Sequence, residues 1–355
     1  MRTSATLAAR ALASTRLLHL LEAFDGGPGR LRVLTYHRVD ELERNRELDP
    51  GLLSATPEEF REQLLLLQQH FVPVSLAQVM AALRGIEALP RRAVLLTFDD
   101  AYEDFGRVAL PLLRAFGTPA VLFVPTAFPD NDRGGFWWDR LYALLQRASA
   151  GVATFPSVGE FNLDHETGRR GAHKAIRNYL KSIPHVDAMQ WFERNLEPLA
   201  DLPSLHRVLG WAALRKLPEQ GVDLCPHGHR HALSTRLPAN ALLEDLRTAK
   251  AVMAREVPEA CCEVMAYPAN DWDEATLPVV AEAGYEFAFA GGRGVASIAG
   301  DQRLAIQRIP VLRHHSALFR AQLHPVIAQV ARRLDSRHKS ARPVAIETRI
   351  EPSPS

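Results

Sequence analysis

Two acidic residues stand directly after an apolar run, and histidines cluster further along the chain. Asp99 and Asp100 follow residues 93–98, and residues 227–231 read His-Gly-His-Arg-His. A carboxylate and two neutral imidazoles are good ligands for zinc and other first-row divalent ions. A second carboxylate beside such a site could accept a proton from water. Together, metal ligands and a proton acceptor are the groups that a metal-dependent hydrolase needs.

Each of these residues can be given a role. Three protein ligands suffice for a catalytic metal, because one position must stay open for water. We therefore assign Asp100, His227 and His231 as metal ligands and Asp99 as the general base, with His229 directed elsewhere. Taken alone, such a histidine cluster is also typical of a solvated turn, and paired acids often cap a helix. Their joint occurrence favours the metal site.

Composition sets limits on the class of protein. The chain has 355 residues, 47% hydrophobic and 23% charged, which indicates a globular protein of one large or two small domains. A formal charge of +1 gives no global attraction to nucleic acid, so we expect no nucleic-acid partner. The cysteines Cys225, Cys261 and Cys262 are odd in number and form no CxxC pair, so neither a disulfide framework nor a cysteine zinc knuckle is indicated, and a reducing compartment fits better.

The two ends of the chain differ from its centre. In residues 1–30, apolar residues at helical spacing predict an amphipathic helix before a glycine-rich break. That helix either packs on the domain or docks weakly on a membrane surface. Its apolar run is too short for a signal peptide or a membrane span, so we expect a cytoplasmic protein, with peripheral membrane contact left open. Residues 331–355 are basic and contain prolines, which predicts a disordered tail.

Between these ends, apolar strands alternate with capped helices. The predicted strands are residues 31–36, 93–98, 120–124, 222–224, 263–266 and 285–290. Thr56 and Ser75 begin helices as N-caps, with Glu59 and Gln78 completing capping boxes. Further helices end near Gly117 and span residues 239–255 and 274–283. Repeated strand and helix units predict an α/β fold with a mainly parallel sheet or barrel, in which chemistry gathers at strand ends.

One stretch breaks the alternation. Residues from about 136 to 206 carry aromatic residues at helical spacing, beginning with Phe136-Trp-Trp-Asp139. We interpret this stretch as a helical insertion on the rim of the barrel. Its tryptophans either pack in a core or stack on sugar rings.

Across residues 31–312 these features together resemble the polysaccharide deacetylase family, also called the NodB homology domain or carbohydrate esterase family 4. Three motifs carry the resemblance: Thr97-Phe-Asp-Asp100, His227-Gly-His-Arg-His231 and Met265-Ala-Tyr-Pro-Ala-Asn270. Supporting similarities are Leu34-Thr-Tyr-His-Arg-Val39, Phe136-Trp-Trp-Asp-Arg-Leu141 and Arg308-Ile-Pro-Val311.

The resemblance implies a fold and an activity. The fold would be a distorted parallel (β/α) barrel over residues 31–330, with the helical insertion. The activity would be zinc-dependent removal of N- or O-acetyl groups from a carbohydrate, either a polysaccharide or a glycan precursor. By the same resemblance, Asp99 is the base, and Asp100 and the two outer histidines hold the metal. The backbone amide of Ala269 would donate to the oxyanion.

The chain also departs from the family pattern. Ala101 replaces a glycine, Gly228 replaces a hydroxyl residue, and Ala266 replaces the arginine that orients the base. We therefore expect Asp99 to lack a guanidinium partner.

The general acid has no clean match either. One choice is the pair His314 and His315, unless they lie in a surface loop. The other is His37, unless it is a buried, hydrogen-bonded histidine.

Two functional classes stay open at this point. The chain is either an active deacetylase or a catalytically silent carbohydrate-binding member of the same fold. Within the enzyme class, a small-molecule amide is the alternative substrate. Retention of Asp99 favours an enzyme, because a site that only binds metal does not need a free carboxylate. The missing arginine favours the silent form.

Overall fold

A mostly parallel sheet forms the centre of the molecule. The computed structural model describes residues 29–41, 48–131, 135–196, 208–292, 294–298, 303–313, 319–320 and 322–324. Within them the strands are β1 (Arg30–Tyr36), β2 (Arg38–Val39), β3 (Leu53–Ala55), β4 (Val72–Pro73), β5 (Ala93–Phe98), β6 (Ala120–Val124), β7 (Val152–Phe155), β8 (Gly159–Asn162), β9 (Val222–Pro226), β10 (Val264–Ala266), β11 (Phe287–Gly291), β12 (Ala296–Ser297) and β13 (Ile306–Pro310).

The sheet has nine strands, and its main path runs in the order β10, β11, β13, β1, β5, β6, β9. Neighbours along this path are parallel. Two short strands pair at the side, β4 parallel to β5 and β12 antiparallel to β1. Two further pairs, β2 with β3 and β7 with β8, lie outside this sheet.

The central strands are buried on both faces. Every residue of β5 and of β6 is buried, which explains why these segments are uninterrupted apolar runs. Successive side chains point to opposite faces. Leu95 belongs to the apolar cluster shared by the strands inside the barrel, whereas Leu96 packs in the cluster formed with the outer helices.

Helices connect the strands. They are α1 (Pro57–His70), α2 (Leu76–Leu83), α3 (Leu110–Ala115), α4 (Trp137–Arg147), α5 (Glu166–Ser182), α6 (His185–Asn195), α7 (Trp211–Leu214), α8 (Ala239–Glu256) and α9 (Thr276–Glu282). Both predicted capping boxes are confirmed: Thr56 and Glu59 exchange hydrogen bonds at the start of α1, and Ser75 and Gln78 do so at α2. In the described residues, no helix is long and apolar enough to cross a membrane.

The last strands of the path, β9 and β10, bring the barrel close to closure. The amide of Cys261 donates to the carbonyl of Leu224 at 2.9 Å. At the other end of β9, His227 Nδ1 lies 2.8 Å from the carbonyl oxygen of Ala266. The result is a nearly closed parallel α/β barrel, which confirms the predicted fold class.

Residues 137–195 pack on one another and leave the barrel alternation. Helices α4, α5 and α6 and the β7–β8 hairpin share an apolar cluster of their own, with Leu141, Ile176 and Phe192 among its buried members. The hairpin was not predicted, because two four-residue strands are too short to show clear alternation.

Most strands of the barrel were predicted from the sequence, but β13 was not. Strands β5 and β6 match the predicted residues, and β11 lies two residues later at its start and one at its end. Residues 306–310 were recognised only through the motif that begins at Arg308. The predicted N-terminal helix, the C-terminal tail and the pair His314 and His315 lie outside the described residues.

Candidate active site

Ionisable residues continue the interior face of the barrel towards the carboxyl ends of three strands. Leu95, Cys225 and Ile306 face the interior of the barrel. Because every second residue of a strand lies on the same face, residues two or four positions further along each strand face the interior as well. Those that follow at the barrel mouth are Asp99, His227 and Arg308. Parallel strands bring such ends to one edge, where sites of α/β barrels form.

The three predicted metal ligands lie together. One ligand atom from each of Asp100, His227 and His231 lies within 4.8 Å of the others. Asp100 Oδ1 is 3.0 Å from His231 Nε2 and 3.6 Å from His227 Nε2. This oxygen is buried and accepts no hydrogen bond from the described residues. A buried carboxylate oxygen without a donor is costly, so the donor set fits a divalent cation.

The backbone orients His227 as a ligand. Its Nδ1 faces the carbonyl of Ala266, so the proton belongs on Nδ1 and the lone pair of Nε2 points to Asp100. Burial lowers the pKa of His227 to about 4, despite the opposing charge of Asp99. The imidazole is therefore neutral at neutral pH, as a metal ligand must be.

Asp99 forms a buried ion pair with Arg308. The guanidinium donates from Nη1 to Oδ1 at 2.7 Å and from Nη2 to Oδ2 at 2.9 Å. Arg308 Nη2 also donates to Asn270 Oδ1 at 2.7 Å. The expectation that Ala266 leaves Asp99 without a guanidinium was wrong. Strand β13 supplies an arginine on the interior face of the barrel, from which it reaches the same carboxylate.

Charge neighbours keep both aspartates ionised. Burial alone would raise the pKa of a carboxyl group. For Asp99, burial is the largest single effect, but the charge and hydrogen bond of Arg308 and the neighbouring histidines together outweigh it and lower the pKa below its usual value. For Asp100, burial is again the largest single effect, but the neighbouring histidines, His231 foremost, together outweigh it, and the pKa falls well below the usual range.

Asp245 on α8 holds the histidine loop in place. Its carboxylate accepts hydrogen bonds from the amides of His229 at 2.8 Å and Arg230 at 3.2 Å, and from Arg230 Nε at 3.0 Å. The His229 ring lies 2.9 Å from the Thr126 hydroxyl, in agreement with its predicted direction away from the ligands. Sequence reasoning gave Asp245 no role.

Local packing explains the glycine at position 228. Gly228 has φ of +69°, and a Cβ there would lie 3.2 Å from both Asp245 Oδ2 and Pro268 Cγ. A side chain at this position would therefore strain the backbone and crowd the loop.

Several site residues have a left-handed backbone. The φ angles of Asp100, His231, Ala269 and Asn270 are 73°, 52°, 51° and 55°. Such conformations are costly for residues other than glycine and cluster at functional sites. Ala269 and Asn270 line the same cavity as Asp100 and His231. Tyr267 instead donates its hydroxyl to the carbonyl of Leu304 at 2.9 Å, which gives it a packing role.

His37 faces the site from the end of β1. It is half-buried and lines the cavity with Asp100 and His231. Its amide donates to Ser54 Oγ at 3.0 Å, while its ring has no hydrogen bond to a described residue. The alternative of a buried, hydrogen-bonded histidine is therefore wrong.

The insertion contacts a predicted metal ligand directly. The Trp138 ring centroid is 4.7 Å from that of His231, and its Nε1 donates to the Tyr102 hydroxyl at 2.9 Å. Both Trp137 and Trp138 line the cavity. Trp138 thus packs against the site and forms part of its wall, which supports the packing alternative, while stacking on a sugar ring stays a prediction.

A buried charge cluster lies behind His37. Arg38 donates to Asp104 Oδ1 at 3.1 Å and to Asp139 Oδ2 at 2.9 Å, and its guanidinium carbon lies 3.5 Å from the centroid of the Tyr102 ring. Burial raises the pKa of Asp104 to about 6, despite the charge of Arg38. Because Asp139 belongs to α4 and Arg38 to β2, this cluster joins the insertion to the strand that begins directly after His37.

Arg308 and Asn270 are the site residues that sequence reasoning missed most clearly. Both were quoted within motifs, but neither was given a role. The signal was present in Ile306-Gln-Arg-Ile-Pro310, where alternation from Ile306 puts Arg308 on the interior face once the segment is read as a strand.

A parallel barrel with an Asp-His-His cluster and a second carboxylate at its mouth is typical of metal-dependent hydrolases. The sequence model of the family described as polysaccharide deacetylase matches residues 87–288, more than half of the chain. The chain belongs to the polysaccharide deacetylase family.

Individual relatives agree with this assignment. The chain is 38% identical over 89 residues to the poly-beta-1,6-N-acetyl-D-glucosamine N-deacetylase of Escherichia coli K12, a segment that covers 25% of this chain and 13% of that protein. The fold is similar to that of the Streptococcus pyogenes deacetylase PplD in complex with acetate, with a TM-score of 0.55 and 18% identity. That match covers 84% of this chain and 99% of PplD. It is also similar to IcaB from Ammonifex degensii, with a TM-score of 0.53 and 17% identity. That match covers 86% of this chain and 98% of IcaB.

Proposed function

We propose that this protein removes acetyl groups from a carbohydrate by hydrolysis. The observation that carries the proposal is the ionised carboxylate of Asp99, held by Arg308 beside Asp100, His227 and His231. A proton acceptor next to a cluster of metal ligands is what attack of water on an acyl carbon requires.

We propose zinc as the resident metal, held by Asp100, His227 and His231. Two imidazoles and one carboxylate suit zinc and leave a position open. The bound ion would lower the pKa of a water molecule and polarise the acetyl carbonyl. The unpartnered Asp100 Oδ1 and the free Nε2 of His227 support this donor set.

The protein groups divide the proton transfers between them. Asp99 accepts a proton from the attacking water, and its free lone pairs remain available because Arg308 occupies one direction at each oxygen. The backbone amide of Ala269 donates to the oxyanion of the tetrahedral adduct. His37, which lines the same cavity as Asp100 and His231, donates a proton to the departing nitrogen or oxygen of the sugar.

The substrate we propose is an N-acetylated sugar, in a polymer or in a glycan precursor. The name of the Escherichia coli relative supports an N-acetyl group on a glucosamine unit. A silent binding protein is less well supported, because its argument was the absence of an arginine beside Asp99, and Arg308 fills that role. A small-molecule amide remains an outcome of the test.

The test combines metal analysis with acetate release. The purified protein is assayed for bound metal and then with N-acetylated oligosaccharides, O-acetylated oligosaccharides and simple acetamides. We expect stoichiometric zinc and acetate release from the N-acetylated sugars. Bound zinc without acetate from any sugar would favour the binding protein, and release from simple acetamides alone would favour the small-molecule enzyme.

A further inference from the structure

A cavity of about 240 Å³ extends from the candidate active site to the insertion. Its barrel side includes His37, Asp100, His231, Ala269 and Asn270. Its insertion side includes Trp137, Arg177, Leu180, Lys181, Ile183 and Met189. The insertion therefore contributes a wall, part apolar and part cationic, to the space beside the predicted metal ligands.

Lys181 presents an unpaired charge to this cavity. It lies in the last turn of α5 and is half-buried. Its ammonium makes no hydrogen bond and no ion pair with the described residues, although Asp100 and Asp271 lie near enough to attract it. Burial lowers the pKa of Lys181. An ammonium that has lost part of its water and gained no partner carries a desolvation cost, which a ligand can offset by supplying the missing acceptor.

Arg236, in the segment after His231, lies next to Lys181. It follows His231 by five residues, and its Nε donates to the carbonyl of Lys181 at 3.2 Å. No carboxylate of the described residues pairs with it. This contact joins the loop that carries a predicted metal ligand to the end of α5, and it leaves the rest of the guanidinium free for an acceptor.

The other charges at this wall are balanced. Arg177 lies 3.9 Å from Asp49, which also lies 3.7 Å from His173. Asp49 would repel an anion by itself, but Arg177 offsets its charge. Asp100 is assigned to the metal. Lys181 and Arg236 are therefore the cations of the cavity wall that form no ion pair with a carboxylate in the described part of the chain.

We propose that Lys181 and Arg236 bind an anionic group, a phosphate or a carboxylate, attached to the sugar whose acetyl group reaches Asp100 and His231. The proposal rests on the proposed function and adds a substrate class to it. Lysine binds oxyanions as a point charge and arginine through its planar fork. Because one small cavity holds both ends, the anionic group and the acetyl group belong to the same sugar or to adjoining ones.

The test compares matched charged and neutral sugars. The charged probes are N-acetylglucosamine phosphorylated at its anomeric oxygen, and N-acetylmuramic acid, which carries a carboxylate. The neutral probe is the methyl glycoside of N-acetylglucosamine. Acetate release gives kcat/KM for each probe, and calorimetry with Asp99→Asn gives Kd without turnover.

Wild type is expected to prefer a charged probe over the neutral one in both measurements, and the preferred probe identifies phosphate or carboxylate. Lys181→Met and Arg236→Gln should each reduce that preference by about tenfold or more, the size typical of one charged hydrogen bond. Lys174→Met changes an exposed cation on the same helix outside the cavity and should retain the preference. Lys181→Met should also melt no lower than wild type, because it removes a half-buried charge that has no partner among the described residues.

Two failures can be told apart. Equal kcat/KM and equal Kd for charged and neutral probes, unchanged in both variants, would overturn the anion site and leave the deacetylase standing. Tight binding of a charged probe that depends on Lys181, without acetate release from any probe by wild type, would support the anion site and reject the proposed activity.

Discussion

Asp99 and Arg308 lie 209 residues apart in the chain, and two hydrogen bonds join them inside the barrel. Both side chains are almost fully buried, at 2% and 1% exposure. The pair gives the proposed base a fixed orientation and an ionised state. Strand β13 thus supplies the guanidinium for Asp99 that the sequence lacks at Ala266.

Replacing Arg308 should affect activity more than metal binding. Arg308→Lys keeps the charge but loses the paired hydrogen bonds, so Asp99 is no longer held in one orientation. We expect kcat to fall by about 10- to 100-fold, as is typical when the partner of a site residue is removed, while bound metal stays at the wild-type level.

The control is Arg303→Lys, since Arg303 is more than half exposed and outside the site. Its kcat should equal that of wild type. An Arg308→Lys enzyme with wild-type kcat would show that the ion pair does not position the base.

Restoring a side chain at position 228 should weaken the fold. Gly228→Ser places a Cβ on a left-handed backbone and 3.2 Å from Asp245 and Pro268. We expect a loss of about 1–2 kcal/mol in the free energy of unfolding, measured by denaturant titration. Gly85→Ser is the matched control, because Gly85 also has positive φ but its Cβ meets nothing within 4 Å. Equal losses in both variants would mean that only the backbone angle matters at position 228.

The buried carboxylate Asp104 should make stability depend on pH. Its folded pKa is raised to about 6, above its usual value of 3.8. The folded state therefore holds a proton more tightly than the unfolded state. The contribution of Asp104 to stability is present below pH 4 and is lost as the pH rises to about 6.

Asp104→Asn removes this titration. The stability of the variant relative to wild type should rise between pH 4 and pH 7 by on the order of 3 kcal/mol. Denaturant titrations across this range measure the difference, with the exposed Asp187→Asn as control. A difference that stays flat with pH would contradict a raised pKa at Asp104.

The comparison of sequence and structure shows which information is local. The strand that ends before Asp99 and the caps at Thr56 and Ser75 were predictable, because alternation and capping depend on neighbours in the chain. The clustering of Asp100, His227 and His231 followed from residue type and spacing. The Asp99–Arg308 pair did not, because it depends on which strands become neighbours at the barrel mouth.

The cavity wall shows the same limit. Helical spacing predicted helices in the insertion, but not which of their residues face the site. Lys181 reaches the cavity because α5 ends beside the loop after His231, a contact made by Arg236. Contacts of this kind arise from tertiary packing and leave no periodic signal in the sequence.

The most direct test of the account separates the base from the metal ligands. Asp99→Asn and His231→Ala are compared with wild type for bound zinc and for acetate release from an N-acetylated sugar. Asp99→Asn should keep its zinc and lose activity by about 10²- to 10⁴-fold, the contribution typical of a general base. His231→Ala should lose both zinc and activity. Wild-type activity in Asp99→Asn, or full zinc content in His231→Ala, would contradict the assigned roles.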